Sequence, residues 1–327
     1  NGYWKIIMTV SDQQFMASHL EGGNYFDDMQ IDISKSHRIF EHLPRKRNSI
    51  KQSKLRNFIK LFFTRLCIKL GIHELLVVNG IRKKWLNDFT HYWAQILNGR
   101  PFWNTLDFFM LLHDYRKRQQ QTSQLDWQDA TQHLANWQHP SHIYATLHSV
   151  RNLAIHPIVN LAPFKKMPNG ARILEYGCSL APYYACYREY FSHQNCQWVL
   201  GDIPNYPFHY AKYRYRDDAE VDFLTIDTQN FSDPLNKSDA FDVIILTTVL
   251  EHLPDPIFIS EYLLDRLNPG GLFVFDYIKS EGKGLDHPNA LKTREDCIRG
   301  ILKNTQLVYG NIDDINQSIS LCIAQKR

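Results

Sequence analysis

From Ala171 onward the chain alternates short, continuous apolar runs with stretches of helical periodicity. Ala171–Tyr176, Gln197–Leu200, Val221–Ile226, Phe241–Leu246 and Gly271–Phe275 each read as a strand apolar on both faces. Such runs, separated by helical segments, predict parallel strands covered by helices on both sides. Two further runs, Gln306–Tyr309 and Ile319–Ala324, flank the short segment Asn311-Ile312-Asp313-Asp314. That connection is too short for a crossover helix, so the pair is expected to close as an antiparallel hairpin. The expected fold class is α/β: a doubly wound, seven-stranded, mostly parallel sheet. One helix is sharply punctuated, with Asp255 as its cap, Pro256 in its first turn and Asn268-Pro269-Gly270-Gly271 as its stop.

Before about residue 160 the pattern changes. Leu55, Phe58, Ile59, Phe62 and Leu66 recur at helical spacing within Lys54–Leu70, interleaved with Lys60, Arg65 and Lys69. Trp85–Leu97 and Phe102–Lys117 also read as helices. The organisation expected is a mainly helical N-terminal region, 1–160, serving as a lid, acceptor site or docking element, followed by an α/β domain, 161–327.

Composition adjusts this picture. Hydrophobic residues are 44% and charged residues 22% of the 327, ordinary values for a globular chain. The net charge of +3 hides an asymmetry: 20 Lys/Arg against 12 Asp/Glu in 1–160, but 17 against 22 in 161–327. The stretch Lys35–Lys84 holds 14 Lys/Arg and 2 Glu, with peaks at Arg45-Lys46-Arg47 and Arg82-Lys83-Lys84. An anionic membrane surface or an acidic carrier is the partner that such a stretch suits, RNA less so because no RNA-binding module accompanies it. The six cysteines lack CxxC spacing, which fits buried free thiols in a reducing compartment. The first residues do not read as a secretory signal, and no apolar run reaches membrane-spanning length. The expected location is cytoplasmic, with peripheral membrane attachment open.

The candidate chemistry lies at strand ends. In a parallel sheet, ligands sit at the carboxyl edge where the strand order reverses. Glu175 ends the first strand and leads into Gly177; Asp202 ends the second, Asp227 the third, and Thr247-Thr248 the fourth. A turn permitting close approach, a carboxylate for ribose hydroxyls and a polar group near a base edge form the set a nucleoside ligand needs.

Residues 171–327 resemble the class I S-adenosylmethionine-dependent methyltransferases. The matching pieces are Ile173-Leu174-Glu175-Tyr176-Gly177-Cys178, Gly201-Asp202-Ile203, Thr225-Ile226-Asp227, Phe241–Leu246 followed by Leu250-Glu251-His252-Leu253-Pro254-Asp255-Pro256, and Leu267-Asn268-Pro269-Gly270-Gly271. The resemblance implies S-adenosyl-L-methionine as cofactor. It places Glu175, Gly177 and Ser179 on the loop beside the cofactor's methionine part, Asp202 on the ribose and Ile203 on the adenine. Asp227 would meet the adenine amino group, and Leu246 and Thr247 would line the transferable methyl. The family's loop reads acidic-x-Gly-x-Gly-x-Gly, whereas here Ser179 and Ala181 replace the second and third glycines, so any positive φ there is costly. A dinucleotide-dependent oxidoreductase fits less well, because GxGxxG is missing.

His252, with Glu251 beside it, follows the fourth strand and has a side chain suited to taking a proton from an acceptor hydroxyl. The metal-binding relatives carry a second Glu where Thr248 stands, so no metal is expected. Neither the Asn/Asp-Pro-Pro-aromatic motif nor Pro-Cys follows the fourth strand, which directs the reading away from nucleobase acceptors and towards O-methylation of a small or carrier-linked metabolite. His142, Tyr144, Tyr206 and His287 are the candidate acceptor contacts. Tyr206, Phe208, Tyr210, Tyr213 and Tyr215 read as a loop-like wall of a pocket or as packing. The alternative function is a catalytically idle binding or scaffold protein that kept the fold.

Overall fold

The computed structural model describes residues 62, 66, 70, 87–96, 108, 112, 137, 146, 159–226, 235, 239–279 and 286–327. Asp227, His142, Tyr144 and most of the basic stretch lie outside the described residues. The chain forms two compact units. The first comprises 1–123, 138–157 and 209–217; the second comprises 124–137, 158–208 and 218–327.

The second unit holds the sheet. Its strands are β1 (Arg172–Tyr176), β2 (Gln197–Asp202), β3 (Val221–Thr225), β4 (Phe241–Leu246), β5 (Leu267–Tyr277), β6 (Thr305–Tyr309) and β7 (Ile319–Lys326). They lie in the order β3-β2-β1-β4-β5-β7-β6. β1 to β5 pair in parallel; β7 pairs antiparallel with both β5 and β6. The seven-stranded sheet and its closing hairpin therefore agree with the sequence pattern, and Phe241–Leu246 agrees residue for residue.

The helices of this part of the chain are α1 (Ala162–Lys166), α2 (Pro182–Cys186), α3 (Tyr206–Tyr215), α4 (Pro256–Asp265), α5 (Pro288–Lys292) and α6 (Arg294–Asn304), of which α3 runs from the second unit into the first. α4 is capped as expected: Pro256 opens it, and the Asp255 carboxylate accepts from Phe258 N at 3.0 Å. Its stop differs. The helix ends at Asp265, and Asn268–Gly271 lies inside β5 as a bulge, because Phe241 pairs with Leu267 and Val243 with Leu272. Asn268 Nδ2 fixes the bulge by donating to Asp242 Oδ1 at 2.8 Å. Lys326, at the end of β7, donates to the Leu264 and Leu267 carbonyls at 2.6 and 2.7 Å, taking up one acceptor in the last turn of α4 and one at the start of β5.

The core is continuous on one sheet face, where Leu174, Ile244, Phe273 and Phe275 meet Leu263, Leu264, Ile298 and Ile301 from α4 and α6. On α2 and the turn after it, Tyr184 and Tyr187 bracket the buried Trp198 ring at 5.5 and 5.2 Å. The first unit contains the helical segment 87–96, where Phe89, Tyr92, Trp93 and Ile96 are buried, in agreement with its apolar spacing. Phe89 and Tyr92 pack on Tyr210, and Tyr92 Oη lies 2.6 Å from His209 Nδ1.

The five described cysteines, Cys178, Cys186, Cys196, Cys297 and Cys322, are free and buried, and burial pushes the thiols of Cys186, Cys196, Cys297 and Cys322 up. Among the described residues, no helix is long and apolar enough to cross a membrane.

Candidate functional site

β1 and β4 are neighbours, and from them the chain order runs outward in opposite directions. This is the switch point of the sheet, and the loops after β1 and β4 open at its carboxyl edge.

The loop after β1 is built by its backbone. Gly177 has φ +67°, and a Cβ there would come within 2.3 Å of Val249 Cγ2, so only glycine fits. Ser179 and Ala181 both have φ +53°. The left-handed path that glycines would give is therefore kept by two residues that pay for it in strain. Glu175 anchors the far side of the loop. Its carboxylate accepts from Tyr183 N at 3.2 Å and Tyr184 N at 3.0 Å, using the open donors at the start of α2. Burial pushes its pKa up to about 8, against the pull of those two amides.

Asp202, at the end of β2, joins the two loops. Its Oδ2 accepts from Ser179 N at 2.7 Å, and its Oδ1 from Ile203 N at 2.7 Å and Asn205 Nδ2 at 3.1 Å. Asn205 in turn accepts from Phe208 N at 2.9 Å and so caps α3. Ser179, Asp202 and Ile203 are thus brought together as the sequence suggested, with Gly177 on the same loop. Each carboxylate oxygen carries two lone pairs, so Asp202 keeps acceptor capacity beyond these bonds. This loop set suits the adenosine and methionine portions of the implied cofactor.

Leu246 is fully buried at the end of β4, and Thr247 follows it half-buried. The Tyr183 hydroxyl bonds the Thr247 side chain, and burial beside Glu175 and Asp276 raises the phenol well above its ordinary range. Thr248 is exposed, has φ +57°, and donates its amide to Asp276 Oδ1 at 2.6 Å. Asp276 lies near the end of β5, where burial raises its pKa to about 6. Sequence reasoning named Thr248 but missed its partner Asp276, and did not connect Tyr183 with the loop after β4. The available signal was Asp276 itself, a lone charge inside the apolar run Gly271–Tyr277.

Leu250–His252 forms a single 3₁₀ turn. Glu251 is fully buried, and its carboxyl oxygens have no hydrogen-bond partner on another described residue. Burial, reinforced by Asp276 and Asp286 and opposed by Arg294, raises its pKa to about 8. Arg294 is itself held by the carbonyls of Ile315, Tyr277 and Gln317 and stacks 4.3 Å from the Tyr277 ring centre. His252 is half-buried, with its ring edge-on to Trp137 at 5.2 Å. No sequence signal singled out Trp137, because its segment carries no motif.

The remaining candidates fall elsewhere. Tyr206 is buried in the first turn of α3, and Phe208, Tyr210, Tyr213 and Tyr215 are buried along the same helix. These aromatics are helical packing groups, not a loop wall; the Asn205 cap is the cue that the loop reading overlooked. His287 caps α5: its Nδ1 accepts from Asn289 N at 3.2 Å, and its amide donates to Glu251 O at 2.8 Å. Burial lowers its pKa. Among the described residues, no group of three His, Cys, Asp or Glu is arranged to hold a metal ion.

Residues 146–299 match the model of a family described as a methyltransferase domain. No curated protein matches the sequence. Among solved structures, the chain is similar to a SAM-dependent methyltransferase from Aquifex aeolicus at 14% identity and a TM-score of 0.40, covering 54% of this chain and 93% of that one. It is similar to the N-methyltransferase NodS from Bradyrhizobium japonicum at 18% identity and 0.35, covering 48% and 87%. An O-methyltransferase family 2 protein from Planctomyces limnophilus, in complex with apigenin, is similar at 15% identity and 0.39, covering 57% and 61%.

Proposed function

The chain belongs to the class I S-adenosylmethionine-dependent methyltransferase superfamily, its residues 146–299 matching the methyltransferase domain, and from that premise we propose that it methylates a hydroxyl of a small or carrier-linked metabolite. The observation that carries this reading is the junction at the sheet's switch point. Asp202 is held by Ser179, Ile203 and Asn205 beside a loop that keeps glycine-like geometry without the glycines. A chain with no use for that loop would gain by relaxing it.

S-adenosyl-L-methionine supplies an electrophilic methyl on a positively charged sulfonium. Transfer would join that methyl carbon to the acceptor oxygen and leave the sulfur–carbon bonding pair on sulfur. The protein's work is to align and to exclude water. Asp202 would accept from the ribose hydroxyls, Ile203 would cover the adenine, and Leu246 and Thr247 would wall the methyl. Asp227, by its place after β3, is proposed for the adenine amino group. His252 would receive the acceptor's proton, and Trp137 packed on its ring would hold it in place. Glu251 is buried beneath the same turn, a supporting position for His252. His142 and Tyr144 are kept as acceptor contacts on the strength of their place before the first strand.

A second reading is a non-catalytic binding protein that kept the fold. It is favoured by Asp202 already holding three protein donors. Titration calorimetry with S-adenosylmethionine and S-adenosylhomocysteine separates the two. The methyltransferase reading expects both to bind, and Asp202→Ala to weaken binding roughly tenfold to a hundredfold through loss of charge-assisted hydrogen bonds. No heat of binding at millimolar ligand defeats it. Labelled methyl transfer into cell extract then identifies the acceptor, and His252→Ala should slow that transfer by about a hundredfold or more if it is the base.

A further inference from the structure

Phe62, Leu66 and Leu70 are spaced at i, i+4 and i+8, and Leu70 N donates to Leu66 O at 2.9 Å, a helical bond. Side chains at that spacing lie above one another on one helix face. In a helix packed on a core, that face is the buried one. Here Phe62 is 55% exposed, Leu66 38% and Leu70 62%. These three are among the few large apolar side chains that the described residues leave exposed.

The sequence around them is basic. Lys54, Arg56, Lys60, Arg65 and Lys69 all fall in the same short stretch of sequence. Lys35–Lys84 carries 14 Lys/Arg against 2 Glu, and no acidic residue occurs between Glu41 and Glu74. An exposed apolar line within so basic a stretch of sequence matches a surface with hydrocarbon below and negative charge at the level of the headgroups, where lysine and arginine stems can lie along the apolar layer while their charges reach the phosphates. Nucleic acid would reward the charges but not the leucines, since a single strand is gripped by stacking on aromatic rings. An acidic protein surface would satisfy the charges but would also have to offer an apolar patch matched to Leu66 and Leu70, which a bilayer offers everywhere.

We propose that this face docks the chain on an anionic lipid bilayer, lying in the interface and not crossing it. The proposal is independent of the methyltransferase reading and gives that chemistry a location: an acceptor embedded in, or carried on, a membrane would come within reach.

The test uses the full chain in co-sedimentation with vesicles of phosphatidylcholine alone and of phosphatidylcholine mixed with phosphatidylglycerol. Binding is expected to the anionic vesicles only, and to fall as salt rises. Replacing Lys60, Arg65 or Lys69 singly by Gln should weaken it about fivefold each. The double variant Leu66→Asp, Leu70→Asp should weaken it at least about tenfold. Both positions are exposed, so its circular dichroism should match the parent and exclude misfolding. No binding to anionic vesicles at low salt overturns the proposal. So does binding that the double variant leaves undiminished, since charge alone would then be acting. Equal binding of parent and double variant to single-stranded RNA, with RNA displacing the parent from vesicles, would reassign the face to nucleic acid.

Discussion

Ser179 and Ala181 have left-handed backbone without being glycine. The left-handed region costs a side-chain-bearing residue about 1–2 kcal/mol, and glycine gives back part of that through its freer unfolded chain. Ser179 is half-buried and its amide bond to Asp202 is a backbone bond, so Ser179→Gly should raise stability by about 0.5–1 kcal/mol in urea unfolding. Gly177→Ala should do the reverse, losing more than about 2 kcal/mol, because its methyl meets Val249 at van der Waals overlap as well as at positive φ. Glu251 makes a different prediction. Its carboxyl has a pKa of about 8 in the fold against 4.5 as a free side chain. Through that window the folded chain holds a proton that the unfolded chain has released, so stability falls as pH rises from near 4.5 to near 8. Glu251→Gln should flatten that slope by an amount on the order of 3–5 kcal/mol across the window. An unchanged slope would assign the effect to Glu175, whose pKa is raised to the same value.

At the level of elements, the capping chemistry was legible and the packing was not. Asp255-Pro256 states in two residues where α4 begins, and Asp255→Ala should cost about 1 kcal/mol in thermal unfolding. The end of α4 was misplaced because Asn268-Pro269-Gly270-Gly271 has the composition of a helix stop, while its role is to bulge the start of β5 against Phe241. α3 was hidden by its tyrosines, which suit strands and loops as well as helices; Asn205 was its marker, and the bond to Phe208 is its reason. The contacts of Tyr183 and Asp276 at the carboxyl edge of the sheet were illegible for a plainer cause. Tyr183 sits at helical spacing among buried aromatics, and only the meeting of α2 with the loop after β4 brings its hydroxyl to Thr247.

At the level of the molecule, the sheet could be read because each parallel strand is a continuous apolar run, and strand ends could be read because carboxylates interrupt those runs. That placed Glu175 and Asp202 at strand ends; the strand order, and with it the β1–β4 switch point, is set by pairing that no single run reveals. If S-adenosylmethionine binds there, the whole fold shares the gain: ligand at a hundred times its dissociation constant should add about 2.7 kcal/mol and raise the unfolding temperature, and Asp202→Ala should erase the rise. The strand order has one more consequence. β7 is made after β6, yet it lies between β5 and β6 and is the only strand that either finds on that side. Until Ile319–Lys326 arrives, the edge of β5 presents Leu-Phe-Val-Phe from Leu272 to Phe275 to any neighbouring chain. During synthesis this sheet is therefore sticky until β7 slides in between β5 and β6. A nick between Tyr309 and Ile319 that lets β7 depart would leave β5 as a bare edge and a seed for edge-to-edge aggregates, directly beside β4 of the switch point.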